Sequence, residues 1–234
     1  MKLIPIAFLL PLIQTGSQGE KVLIKVDQDV NQRTEYQIKI EMRATDPDGK
    51  AVGKVDGAMH IADRVLARSA DQITYNVHPA ASFFKGDGVL QAVAESMNGG
   101  SGVDYKRTIT LDGSPIGTSA ASAVTSSVDL RFSPNPVGIG DTWTAKVAPG
   151  MNAELKLVFK LESITATEYK ISATFDNVEM FEIAEPYQFV VDRKTGRYKT
   201  CTGALRVSTP EGKLAVRFNC RRILPALPQL YGKD

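Results

Sequence analysis

The residues with most chemistry to offer are two cysteines, two histidines and a few aspartates set among turn formers. Cys201 and Cys220 flank a stretch centred on the turn signal Thr209-Pro210-Glu211-Gly212. A hairpin turning about Pro210 and Glu211 sets Val207 opposite Leu214, Leu205 opposite Val216 and Cys201 opposite Cys220, all on one face. In an exported chain that pairing favours a disulfide, which would stabilise a loop of this size by on the order of 3 kcal/mol in the chain-entropy model. The alternative is two buried thiols, and a three-residue turn would put the cysteines out of register. His60 alternates outward from Met59 and Ile61, and His78 precedes Pro79 at a strand end. With no His-x-x-x-His spacing and no cysteine near them in sequence, they predict no metal site and no cofactor. Neither a Gly-x-Ser-x-Gly elbow nor a phosphate loop is present. A Ser/His/Asp site would have to be assembled by the fold, and two outlying histidines leave few general bases, so the chain reads as no enzyme. Asp46-Pro47-Asp48-Gly49 and Asp192-Arg193-Lys194-Thr195-Gly196 read as turns; the first lacks the later glutamate of a calcium loop.

These residues hang on a chain of alternating strands. Tyr36, Ile38, Ile40 and Met42 alternate with Gln37, Lys39, Glu41 and Arg43, one face dry and one wet. A returning strand follows through Val55, Met59, Ile61 and Val65, then another through Ile73, Tyr75 and Val77. After Pro79 the pattern changes, and Val89, Leu90, Val93, Ala94 and Met97 recur at helical spacing before the stop Asn98-Gly99-Gly100. Tyr105, Ile109 and Leu111 resume the alternation, and Ser114 to Ser127 reads as an exposed loop. Val128, Leu130 and Phe132 predict a strand that ends at Pro134 and Pro136. Gly138, Gly140 and Asp141 then turn the chain into the strand begun by Trp143, and two sheet-forming halves meet there. Further strands are predicted through Leu155 to Leu161, Tyr169 to Phe175 and Tyr187 to Val191, with the cysteine hairpin last and an extended tail through Ile223 to Pro228.

The fold class expected is mainly β: a strongly curved antiparallel sheet, as a half-barrel or two related sheets, with one short helix. Residues 1–19, with Lys2 before the apolar run Leu3 to Ile13 and small residues at Ser17 and Gly19, read as a signal peptide, so the product is expected to be secreted or periplasmic. Residues 20–127 form the first β half, with the helix near 88–97, and residues 128–234 the second. No other apolar run approaches the ~18 residues of a transmembrane segment. Of the net charge of +2, Lys2 accounts for one, and the 7% of aromatic residues are scattered, so no nucleic acid is expected as partner. A single helix cannot cover so many dry faces. The candidate ligand contacts are therefore Trp143, Tyr36, Ile38, Phe159, Phe175 and Phe189, although a lone tryptophan at a strand start also suits the core. Glu179-Met180-Phe181-Glu182-Ile183 suits the rim of a groove or an edge strand.

The Pro-x-x-Val/Gly-x-Gly-Asp-x-Trp element at Pro134 to Trp143, followed by strands and by Val-Asp-x-x-x-Gly at Val191 to Gly196, resembles a family of bacterial secreted proteins of unknown function. Their repeats are read as curved β-sheet, and the resemblance covers Tyr36 to Val207. The strand order is also similar to that of periplasmic lipoprotein carriers, open half-barrels whose concave apolar face takes lipid chains, though those carriers use more helices as a lid. Neither resemblance brings catalytic residues. The expected function is to hold a hydrophobic ligand or an acyl chain on the concave face. The alternative is a structural or protein-interaction module of the cell envelope. A hydrolase would require His60 or His78 beside a serine and a carboxylate in a cleft.

Overall fold

The computed structural model of the 234-residue chain describes residues 19–99, 102–117, 130–147, 155–175 and 181–223. The segment read as a signal peptide, up to residue 18, most of the Ser114–Ser127 loop, Val128, the first part of the Glu179–Ile183 stretch and the tail beyond Ile223 lie outside the described residues.

The strands are β1 Arg33–Thr45, β2 Ala51–Arg68, β3 Gln72–Gly88, β4 Tyr105–Thr110, β5 Pro115–Ile116, β6 Thr142–Val147, β7 Leu155–Ile164, β8 Glu168–Phe175, β9 Phe181–Asp192, β10 Tyr198–Thr209 and β11 Gly212–Ile223, with the helix α1 Gln91–Gly99 between β3 and β4. They form one open antiparallel sheet in the order β5-β4-β3-β2-β1-β11-β10-β9-β8-β7-β6. Within β1–β5 and within β6–β11 each strand lies beside its chain neighbour, β5 and β6 form the two edges, and β1 pairing with β11 joins the two halves into a single sheet. The Phe132–Trp143 stretch therefore does not divide two sheets.

Alternation decides which face is dry. Tyr36, Ile38 and Ile40 are buried while Lys39 and Glu41 are exposed. The hairpin β10–β11 has the register its two-residue turn requires, with Val207 opposite Leu214, Leu205 opposite Val216 and Cys201 opposite Cys220. The turn into β2 is fixed by Asp46, whose Oδ1 accepts the Lys50 amide at 2.8 Å, and by Gly49 at φ 85°.

Two expectations are corrected. Pro79 was expected to end its strand, but β3 runs through it to Gly88 with a register shift opposite His60 and Ile61. β4 pairs only with Gln72–Val77, so the proline's missing donor falls where that ladder has already stopped. Leu130 and Phe132 were expected in a strand, yet residues 130–133 lie outside the sheet. Their side chains are buried and the Phe132 amide donates to the Asp112 carbonyl.

The dry face is concave. Arg197, at the start of β10, lies 5.1 Å from the Tyr75 ring centroid on β3. Four strand spacings of about 4.8 Å would put them roughly 19 Å apart on a flat sheet. Three things cover this face. Helix α1 buries Ala94 over β3, with Leu90 buried just before its first turn, and approaches closely because Gly86 has no Cβ to meet that of Ala94. Two extended segments, 19–32 and 130–141, cross the rest and bury Ile24, Val26, Leu130, Phe132 and Val137. They are tied to each other by the reciprocal Val22–Val137 backbone bonds, both 2.9 Å.

Candidate functional site: a polar chamber on the concave face

Where the 19–32 and 130–141 segments meet β1–β4, they enclose a cavity of about 70 Å³. Its apolar walls include Ile38, Ile61, Val77, Ile109 and Phe132, while Tyr36, Asp63, Tyr75, Arg107, Arg131, Arg197 and Tyr198 give it a polar side. The sheet places these groups together by register alone. Thr34 stands opposite Asp63, Tyr36 opposite Ile61, and Tyr75 opposite Arg107, all on the dry side of their strands.

Arg197 organises the chamber. Its Nε donates to the Tyr36 hydroxyl at 2.9 Å, its Nη2 pairs with Asp63 Oδ2, and its guanidinium lies over the Tyr36 and Tyr75 rings at 5.3 and 5.1 Å. Tyr75 donates to Gln28 Oε1 at 2.9 Å, and Gln28 Nε2 donates to Thr34 Oγ1 at 3.1 Å, which fastens the 19–32 segment to the sheet. Burial pushes the Asp63 carboxyl above the usual carboxylate range, while Arg197 and then Arg107 pull against it. Asp63 Oδ1 has no hydrogen-bond partner. On the roof side, Arg131 donates to the Gly113 carbonyl, and the Trp143 indole N–H donates to the Arg131 carbonyl at 2.8 Å.

Of the six ligand contacts expected from sequence, the structure brings Tyr36 and Ile38 to this cavity. The other four belong to two groups of aromatic rings in the second half of the sheet. Trp143 stacks on Phe159 at 5.6 Å, Phe159 meets Phe189 at 6.3 Å, and Phe175 meets Tyr187 edge-on at 5.9 Å. Tyr187 in turn meets Phe218 at 5.0 Å. Gly203 makes room for the last two rings, since a Cβ there would lie 2.2 Å from Tyr187 Cδ1. Residues missed by sequence reading are Asp63, Arg107 and Arg197. The signal for two of them is a charge in the dry register, Asp63 between Ile61 and Val65 and Arg107 between Tyr105 and Ile109.

The two histidines are not brought together. His60 Nε2 lies 3.2 Å from Gln37 Nε2, and His78 pairs with Asp104. Hydrogen bonds from Asn76 and His78 hold the Asp104 carboxyl below its ordinary range. Among the described residues no group of three or more His, Cys, Asp or Glu could hold a metal ion, and no helix is long and apolar enough to cross a membrane. Cys201 and Cys220, expected as a disulfide, are free thiols in this structure, facing each other in register and fully buried.

Fold and chamber together define a mainly β protein built on one open antiparallel sheet, roofed on its concave side by its own extended chain. No family model matches the sequence, and no curated protein matches it. Among solved structures it is similar to a DUF1329 family protein from Desulfovibrio piger ATCC 29098, with 11% identity over 85% of this chain and 89% of that one, at a TM-score of 0.21. It is also similar to a putative outer membrane lipoprotein-sorting protein domain from Vibrio parahaemolyticus, with 9% identity over 83% of this chain and 87% of that one, again at a TM-score of 0.21.

Proposed function

We propose that this is an exported, non-catalytic binding protein that holds a hydrophobic ligand, such as an acyl chain, on the concave face of its sheet. The observation that carries this reading is the nature of the roof. Irregular extended chain borders the cavity, and among the described residues segment 19–32 is tied to the body by six backbone hydrogen bonds, at Val22 (two, with Val137), Val26, Asp27, Asn31 and Gln32. A space of about 70 Å³ holds a few waters, whereas ligand pockets run to several hundred Å³. Loading therefore lifts the 19–32 segment and exposes Ile38, Ile61, Val77 and Ile109 to the ligand, with Tyr36 at its edge.

Native mass spectrometry of the protein purified from its own host tests the reading, alongside displacement of a fluorescent fatty acid. Co-purifying lipid, and probe binding that slows when Val22 is cross-linked to Val137 as a cysteine pair, are the expected results. Protein free of lipid that also ignores the probe would refute it. N-terminal sequencing of the same material should begin near Glu20.

A second reading, a protein-interaction module of the envelope, is favoured by the convex face. There Phe83, 66% exposed, lines an open depression with Lys39, Lys54 and Lys85. Loss of a co-purifying protein on Phe83→Ser, with lipid content unchanged, would favour it.

A further inference from the structure

We propose that Cys201 and Cys220 are joined by a cross-strand disulfide in the mature protein, and that this bond forms while the β10–β11 hairpin is still open. The register carries the claim. Thr209 and Gly212 close a two-residue turn, so they are a hydrogen-bonded pair, and the ladder runs from there to Cys201 and Cys220 without a register shift. Counting eight positions down each strand returns to a hydrogen-bonded pair, with Cα atoms about 5.5 Å apart and both side chains on one face. That Cα separation lies inside the roughly 4.4–6.8 Å window of disulfides, and the Cβ atoms, about 5.5 Å apart in a hydrogen-bonded pair, need to approach by about 1–2 Å.

The neighbours of the two thiols set the timing. Ile38 stands opposite Cys220 on one side and Phe189 opposite Cys201 on the other, and both cysteines have no exposed surface. An oxidant has no path to either sulfur once β1 and β9 are in place. Burial also pushes the Cys220 thiol up to about 12 and the Cys201 thiol well above its usual value, so the closed fold presents almost no thiolate. In the isolated hairpin the same thiols are wet, ordinary and already opposite one another.

The oxidant is a disulfide, either a small molecule or a protein. One cysteine thiolate attacks it to give a mixed disulfide and release one thiol, and the second cysteine displaces the other thiol. Two cysteine protons leave, one sulfur–sulfur bond forms in the hairpin, and the oxidant's bond is reduced to two thiols.

The test refolds the full chain, after removal of residues 1–19, from denaturant with oxidised glutathione present. It then repeats the reaction with the oxidant added only after reductive refolding. In the first case the intact mass should fall by two hydrogens, with no alkylation in denaturant until reductant is added. In the second, oxidation should be at least about a hundredfold slower, limited by opening of the sheet. Cys220→Ala should show no mass loss, and Cys201→Ala likewise. Free thiols or stable glutathione adducts on both cysteines after oxidative refolding would overturn the bond. Equal rates in the two arms would overturn its timing.

Discussion

Replacing Arg197 with methionine keeps an unbranched apolar stem and removes the charged guanidinium, so it tests what that group contributes to the concave face. The side chains of Arg197 and Asp63 are 14% and 8% exposed, so solvent screens their pairing little. Removing one partner of a buried ion pair leaves the other as an unneutralised charge, a loss of about 3–5 kcal/mol. The substitution also ends the contacts with the Tyr36 and Tyr75 rings, each worth roughly 0.5–2 kcal/mol when desolvated. We expect Arg197→Met to lose at least about 3 kcal/mol near pH 7. The double variant Asp63→Leu, Arg197→Met should lose much less than the two single losses added together. The pH dependence has a definite sign. Burial already raises the Asp63 carboxyl, and without Arg197 it rises further. A carboxyl whose folded pKa is raised holds its proton more tightly in the native state, so stability is greatest below the unfolded value and falls as pH rises through the folded one. The deficit of the single variant should therefore be largest near neutrality and shrink toward about pH 4. Urea unfolding followed by Trp143 fluorescence measures both effects, because that indole is buried against Phe159 and hydrogen-bonded to the Arg131 carbonyl. A variant within about 1 kcal/mol of the parent at neutral pH, or a deficit that grows in acid, would refute the assignment.

Gly203→Ala should cost about 1–3 kcal/mol by driving a methyl into Tyr187 and Phe218, whereas Gly99→Ala, with nothing within 4 Å, should stay within about 0.5 kcal/mol; equal denaturation midpoints for the two would contradict the packing described. Tyr187→Phe should be neutral or stabilising by up to about 1 kcal/mol, since the hydroxyl is buried without a partner and burial, then the nearby Cys201, raises its pKa strongly; a clear loss in a urea melt would mean that the hydroxyl is satisfied. In reduced protein, the Cys220 thiol keeps its proton up to about 12 when folded but titrates near 9.0 when exposed, so its contribution is intact below pH 9.0 and declines above it, by about 3 kcal/mol near pH 11. Comparison with Cys220→Ala isolates that slope, and an identical alkaline decline in both proteins would remove the thiol as its source.

The strands were legible because one face of each is dry. The alternation around Tyr36–Met42 and the Pro210-Glu211 turn each carry register information locally, and the β1–β2 and β10–β11 pairings follow from them, whereas the β1–β11 pairing that joins the halves does not. What was not legible depends on residues far apart in sequence. Val89 and Val93 stand at helical spacing but are exposed, because the short helix lies on β3 and the adjoining part of β2 with a face that buries Ala94, Leu90 being buried just before it. Leu130 and Phe132 alternate like a strand, yet the space they fill is the roof, a location set by β1 and β11 closing the sheet. Asp63 and Arg197 are 134 positions apart and meet through curvature, which alternation within a single strand does not encode.

The two ends of the sheet are closed in different ways, and this bears on where the proposed ligand would enter. From β6 to β11 the dry face carries two ring groups, Trp143–Phe159–Phe189 and Phe175–Tyr187–Phe218, whose members lie at 5–7 Å separations that favour stacked and edge-on pairs. Opening that end would cost those contacts directly. From β1 to β4 the dry face carries Tyr36, Asp63, Tyr75 and Arg107, and its closure depends on a segment whose polar anchors, Gln28 among them, can exchange their partners for water or ligand. Local opening follows the region with fewest apolar contacts and backbone bonds. The 19–32 segment should therefore lift while the aromatic end keeps the sheet curved, and amide exchange at Val26, Asp27 and Asn31 should outpace exchange in β7 and β8. Exchange in the reverse order would place the opening at the wrong end of the molecule for the cavity to load.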